Sequence, residues 1–198
     1  MKILKILLFL AISLILTIAF GCKDNSTNPP TESGQLIPLA LNNMWIYKTE
    51  YYDSTGAIMN SRIDTLRVTR DTLINNERWY IFNSFINSRS TNRSDGYYSY
   101  YEAPLLEYKY PAKVGDIILF PDSLKREVIS TSSVINANNV SYTTHQYHDF
   151  YINNVTDLSW DIFIAPKIGQ VRIDAYRKNY QQQKYRMMRF DLISYKLN

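Results

Sequence analysis

From residue 36 to its end the chain repeats with a period of two and nowhere with a period of 3.6. Trp160, Ile162 and Ile164 alternate with Asp161 and Phe163, and Val171, Ile173 and Ala175 alternate with Arg172 and Asp174. Successive strand residues point to opposite faces, so this spacing describes strands with one buried face. No segment of the region holds helical periodicity over the roughly 10–12 residues that a helix requires. The candidate strands are 44–52, 58–72, 78–87, 97–101, 105–110, 117–120, 124–135, 140–152, 158–165, 170–179 and 186–197. The breaks between them are short clusters such as Asp53-Ser54-Thr55-Gly56, Asn75-Asn76, Ser94-Asp95-Gly96, Asn136-Ala137-Asn138-Asn139 and Asn153-Asn154. Asn and Gly take positive φ at little cost, so these are turns with a mechanism. Connections this short favour sequential antiparallel pairing. The expected fold class is all-β: a single antiparallel meander sheet, strongly curved or barrel-like, over residues 36–198.

Two packing expectations follow. Trp45, Trp79, Phe82, Trp160 and Phe190 are large enough, if all point inward, to fill the sheet core. In the last strand Met188, Phe190 and Leu192 lie on one face and Ile193, Tyr195 and Leu197 on the other. That pattern predicts a terminal strand covered on both sides, with no solvent-washed edge.

The first 21 residues are of a different kind. Lys2 and Lys5 precede an uncharged apolar run over 6–20, and Ala19 and Gly21 are small residues placed just before Cys22. The run has 15 residues, and with Ile3 and Leu4 it nearly reaches the roughly 20 that cross the hydrocarbon core, so length alone does not separate a membrane anchor from a leader. The small residues before Cys22 favour a cleaved signal peptide over 1–21. Cys22 is the only cysteine, which excludes an intrachain disulfide framework. A single cysteine preceded by glycine at the end of an apolar leader resembles the lipobox of bacterial lipoproteins. Ala19 stands where that family usually has leucine, and Phe20 where it has a smaller residue. The resemblance implies a diacylglyceryl group on the Cys22 thiol, cleavage before it, and acylation (palmitate or similar) of the new amine. The same Ala19-x-Gly21 spacing also suits ordinary signal peptidase, which would leave a soluble chain. Several acyl chains would anchor firmly, at about 0.8 kcal/mol for each buried methylene.

Residues 22–35 are polar, rich in Pro, Ser, Thr and Asn, and contain no aliphatic side chain. Such a stretch has nothing to bury and serves as a flexible tether between lipid and domain. Lys23-Asp24 weakly resembles the surface-export signal of some Gram-negative lipoproteins. The expected location is thus the cell envelope, lipid-anchored at the outer membrane, on either face.

The net charge of +4 owes two of its 22 basic residues to the leader. The remainder is uneven: residues 167–198 carry a local +6 and residues 22–166 a local −4. Arg186, Arg189 and Lys196, with Asp191, are therefore expected to lie at the rim or against acidic residues of the acidic portion. Arg177, Lys178, Lys184 and Arg186, interleaved with tyrosines, form a candidate surface for an anionic partner. Export and ordinary strand alternation argue against nucleic acid as that partner. Tyr97, Tyr98, Tyr100 and Tyr101 alternate onto both faces of one short strand and are a second candidate surface, for a glycan or a protein.

Three short blocks resemble a group of uncharacterised bacterial envelope lipoproteins. Pro38-Leu39 with Asn43-Met44-Trp45-Ile46-Tyr47 is similar to their Pro-Leu…Gly-Asn-x-Trp-x-Tyr opening, with Asn42 in place of glycine. Residues 111–116 resemble their Pro-x-x-x-Gly-Asp turn, and 165–171 their Ala-Pro-Gly-x-Gly-x-Val turn, with Lys167 replacing a glycine. The resemblance implies a β-rich domain and no particular activity, and these residues read as fold determinants.

Catalytic motifs are absent. There is no G-x-S-x-G elbow, H-E-x-x-H helix or phosphate-binding glycine loop. His145 and His148 lie at an odd spacing on opposite strand faces and read as two exposed histidines with no metal between them. The expectation is a non-catalytic lipoprotein of the envelope without metal or cofactor, in a binding or structural role. Its membrane contact is the lipid anchor, and its partner an envelope protein, glycan or lipid. The alternative is a carrier that holds a lipid or other apolar ligand in a curved-sheet cavity.

Overall fold

The computed structural model describes residues 35–83, 89–152, 157–179 and 181–198. The leader, Cys22 and residues 23–34 of the tether lie outside the described residues. Twelve strands are present: β1 (Met44–Tyr52), β2 (Ile58–Ile74), β3 (Glu77–Phe82), β4 (Arg89–Arg93), β5 (Gly96–Tyr100), β6 (Pro104–Lys109), β7 (Ile117–Leu119), β8 (Leu124–Ala137), β9 (Val140–Tyr151), β10 (Ser159–Ala165), β11 (Gly169–Lys178) and β12 (Lys184–Lys196). Their order is β6-β5-β4-β3-β2-β1-β12-β11-β10-β9-β8-β7. Chain neighbours pair throughout except at β6 and β7, and the first strand pairs with the last. The meander therefore curls into a barrel closed everywhere but at a seam between β6 and β7. The expected class holds.

One strand lies outside the sequence expectation. β4 reads Arg-Ser-Thr-Asn-Arg and has no apolar residue to set a period. The strand expected over 78–87 instead ends at Phe82, its last positions falling outside the described residues.

The interior is packed by Trp45, Tyr47, Val68, Tyr147, Ile164 and Leu192, all essentially without exposure. The segment before β1 closes one end. Leu36 inserts among Val128, Tyr147, Ile162 and Ile164, while Leu39 joins the cluster of Trp45 and Tyr47. Its backbone is held from both sides, with Asn92 Nδ2 donating to Ile37 O (2.8 Å) and Lys167 N to Gln35 O (3.2 Å). Trp45 and Tyr47 face inward as expected and tie β1 to the β10–β11 region, donating to Ile168 O (2.6 Å) and Gln170 O (3.2 Å).

Two packing expectations are corrected. Trp79 is fully buried but lies on the face of β3 opposite Tyr80 and Phe82, which pack on the interior cluster. Its odd offset from Phe82 requires this. It is covered by an edge-on Tyr100 ring (5.1 Å) and the guanidinium of Arg93 (5.8 Å). The terminal strand is also simpler than its two apolar stripes suggest. Its register against β1 slips at Ile46/Tyr47, where Ser194 and Leu192 are the partners and Ile193 is the extra residue. A bulge shifts the strand's parity. Leu192 stands opposite inward Tyr47 and Tyr195 opposite inward Trp45, so both stripes belong to one face.

The two positions where the resembling lipoproteins have glycine are both left-handed here, Asn42 at φ 67° and Lys167 at φ 67°. Asn tolerates that region and Lys does so at roughly 1–2 kcal/mol. Lys167→Gly should therefore raise stability, by about 0.5–1 kcal/mol after glycine's larger unfolded-state entropy, read as a higher melting temperature. Deletion of residues 185–198 should do the reverse. It removes β12 from between β1 and β11 together with buried Leu192 and half-buried Phe190 and Met188. Those side chains alone contribute upwards of about 4 kcal/mol, and two ladders go with them. The truncated chain should show no cooperative melt by circular dichroism. A soluble truncation with an unchanged melt would mean the segment is a dispensable tail.

Candidate functional site: the seam and its two cavities

Where the backbone ladder stops between β6 and β7, side chains take over. β8 alternates Leu124, Arg126 and Val128 toward the interior, so Arg126 arises on an otherwise apolar face. β9 places Asp149 directly opposite it. The pair is bidentate: Arg126 Nε donates to Asp149 Oδ1 (2.7 Å) and Nη2 to Oδ2 (2.6 Å). The third nitrogen reaches across the seam, where Nη1 donates to the Glu107 carbonyl of β6 (2.6 Å) and lies 3.3 Å from its carboxylate. Tyr147 of β9 does the same two residues on, its hydroxyl donating to Lys109 O (3.0 Å). The guanidinium is sandwiched by Tyr108 (4.2 Å) and Phe120 (5.1 Å). Lys109 on β6 pairs with Asp116 of the crossover loop (3.0 Å).

Arg126 and Asp149 are both buried. Burial works against a charged guanidinium, but Tyr108, Asp149 and Glu107 more than offset it and hold Arg126 above the ordinary arginine range. The edge of β6 is thus bonded by a permanent cation and a phenol in place of a neighbouring strand.

Two cavities meet at Glu107 and Tyr101. One, of about 230 Å³, runs inward along Tyr47, Phe82, Tyr97 and Tyr108. The other, of about 300 Å³, lies over the seam beside Leu105, Phe120 and Arg126. Glu107 is the polar group common to both, accepting a hydrogen bond from Ser99 Oγ (2.5 Å). The interior is therefore packed around Leu36, Val128, Ile162 and Ile164 and leaves a cavity between Trp45, Tyr97 and Glu107. The polar groups here bond one another and hold the seam together.

The structure separates the candidate tyrosines. Tyr97 is buried inside, and Tyr101 is exposed at the cavity mouth. Tyr98 and Tyr100 lie on the outer face under Arg93 (4.4 Å) and Arg89 (5.9 Å). The basic set lies elsewhere, on the β11–β12 hairpin, with β1 to β4 between it and β5. There Lys178 pairs opposite Lys184, both exposed, and Lys184 Nζ sits 4.1 Å over Tyr176. Arg186 forms an ion pair with Asp174 (2.8 Å), as does Arg189. Their ion-pair partner Asp174 lies within the basic segment itself, while Glu50 of the acidic portion stands opposite Arg189 on β1. The adjacent strand β11 places Asp174 directly opposite Arg189.

The histidines are half-buried, correcting the exposed reading. His148 Nδ1 lies 2.7 Å from Asp161 Oδ1 on the outer face. It belongs to a cross-strand row running Glu127, His148, Asp161, Asp174, Arg189, Glu50 from β8 to β1. His145 lies beside Tyr110 (5.3 Å), where irregular β8–β9 pairing leaves it near the interior, and burial lowers its pKa. No group of three potential metal ligands occurs among the described residues.

No family model matches the chain, and no curated protein sequence matches it. Solved structures do. A Bacteroides fragilis protein with a YmcC-like fold, itself predicted to be exported, superposes with a TM-score of 0.53 at 12% identity, over 83% of this chain and 100% of that one. A Parabacteroides distasonis protein predicted to be a lipoprotein gives 0.46 at 10% identity, over 82% and 99%. At 12% identity the likeness to the first is one of fold.

The interior phenols supply a test. Burial is the chief cause that raises the Tyr108 hydroxyl to about 12, and the same cause pushes Tyr47, Tyr97 and Tyr147 higher still. A folded-state pKa above the unfolded value of 10 gives stability that is complete below pH 10 and lost as pH rises through the folded values. Phenolate absorbance near 295 nm should therefore show exposed tyrosines titrating smoothly near pH 10. The buried ones should ionise together at higher pH, in step with loss of the circular-dichroism signal. Ionisation of every tyrosine with the fold intact would contradict this packing.

Proposed function

We propose that the chain is an exported, lipid-anchored protein of the bacterial cell envelope whose barrel serves as a non-catalytic binding or structural module. The observation that carries the reading is the arrangement at the amino-terminal side. A leader ending at Cys22 is followed by a polar spacer, and Leu36, the first aliphatic side chain after it, is buried in the barrel. Anchor, spacer and domain thus follow one another without overlap. The fold shared with a protein predicted to be exported agrees with it.

The non-catalytic part rests on how the charged groups are used. Arg126, Asp149, Glu107, Asp174 and Arg189 are each spent on one another in closing or bracing the barrel. The carrier reading keeps one observation in its favour, the aromatic-lined cavity of about 230 Å³. That is below the ~300–1,000 Å³ of most ligand pockets. It suits a small group inserted from a larger partner better than a whole lipid.

The anchor is tested by labelling. Wild-type chain grown with labelled fatty acid should incorporate it and fractionate with the envelope, whereas Cys22→Ser should incorporate none. Wild-type protein without label, recovered from the culture fluid, would overturn the anchor. Mass spectrometry of the native protein that found a stoichiometric bound lipid besides the anchor would favour the carrier.

A further inference from the structure

β2 is 17 residues long, yet it is flanked on both sides only in part. Residues 58–67 pair with β1, and β3 pairs only with residues 68–74. Alternate residues of an antiparallel strand turn their N–H and C=O to opposite neighbours. The odd residues of β2 face away from β1: Asn83 N donates to Arg67 O (3.0 Å), and Arg67 N donates to Asn83 Oδ1 (2.7 Å). Asn83 Nδ2 then donates to Thr65 O (3.1 Å), and Asn60 Oδ1 accepts from Ser61 N (2.8 Å). Two side-chain amides thus cap the ends of an open edge. Among the described residues nothing pairs with what lies between them: the C=O of Ser61, both backbone groups of Ile63, and the N–H of Thr65. The strand here is exposed, and its apolar Ile58, Met59 and Ile63 are each more than half accessible among polar and charged neighbours. Such an edge is a template for another strand.

We propose that this edge pairs with the same edge of a second copy of the chain, antiparallel about a two-fold axis at Ile63. The unpaired groups match that register. Ile63 would exchange both bonds with Ile63 of the other copy, and each Thr65 N–H would meet the opposing Ser61 C=O. The side chains match as well. A two-fold at Ile63 sets Arg62 opposite Asp64 on both sides of the axis, giving two cross-strand ion pairs, and Ile63 opposite itself. Arg62 and Asp64 are already positioned together in one copy, Arg62 Nε donating to Asp64 Oδ2 (2.9 Å). Only residues of like parity can pair across this edge, so the neighbouring registers are two residues away and set Arg62 against Arg62 or Asp64 against Asp64; charge selects this pairing over them.

Disulfide trapping in the full chain, purified in mild detergent, tests the axis. Residues opposite each other in a hydrogen-bonded pair have Cα atoms about 5.5 Å apart, within disulfide range. Ile63→Cys should form a disulfide-linked dimer under mild oxidation at least about tenfold faster than Met59→Cys. Met59 is equally exposed on the same strand, but in this register its two copies are about 27 Å apart. Adding Arg62→Asp, which opposes two acids, should slow trapping about tenfold, and Arg62→Asp with Asp64→Arg should restore it. Equal rates for the Ile63 and Met59 variants would overturn the proposal. So would trapping indifferent to the charge changes in variants with unaltered circular dichroism.

Discussion

The barrel depends on a buried guanidinium. Eleven of its strand junctions are backbone ladders, and the twelfth, between β6 and β7, is bridged by Arg126 and Tyr147. Arginine suits the position because its five donors form a planar fork, enough to hold Asp149 bidentately and still reach the β6 carbonyl. Removing such a charge from water costs several kcal/mol, which is recovered only when nearly every donor is satisfied. The aromatic faces of Tyr108 and Phe120 complete its surroundings. The cavities beside the seam follow from the same constraint, since strands bridged by side chains sit farther apart than strands in a ladder.

Most of the architecture is legible in the sequence, because period-two alternation and Asn/Gly turns act locally. Where the reading departs, the cause is a residue of parity or a missing apolar signal. β4 has no hydrophobic residue and leaves no trace of itself. The bulge at Ile193 converts what reads as a two-faced strand into a one-faced one. The size of Trp79 suggests an inward position, whereas its three-residue offset from Phe82 dictates the opposite face.

The site was less legible. Arg126 and Asp149 carry a usable signal, a basic and an acidic residue on the apolar faces of two strands joined by a short turn. Neither residue belongs to a catalytic motif, so the pair is marked only by its charge on an apolar face. Glu107 carries no comparable mark, because its meeting with Arg126 depends on the barrel curling round, a contact no local pattern encodes. The candidate tyrosines divide between interior and exterior for the reason that made them noticeable: four aromatics in five positions must occupy both faces. Gly96 shows the same limit on a smaller scale. A side chain there would run into the Tyr108 carbonyl oxygen, a requirement set by the β5–β6 pairing.

Native-state hydrogen exchange of the wild type and of Arg126→Met tests the claim of side-chain closure most directly. Methionine keeps much of the volume and removes the charge, leaving Asp149 buried without its partner, a loss of about 3–5 kcal/mol. If Arg126 closes the barrel, the amides of β5, β6, β7 and β8 will exchange through a local opening well below global unfolding. Those of β1, β11 and β12, on the far side, will keep protection close to the global limit. Protection lost evenly round the barrel, or not lost at all, would contradict the account.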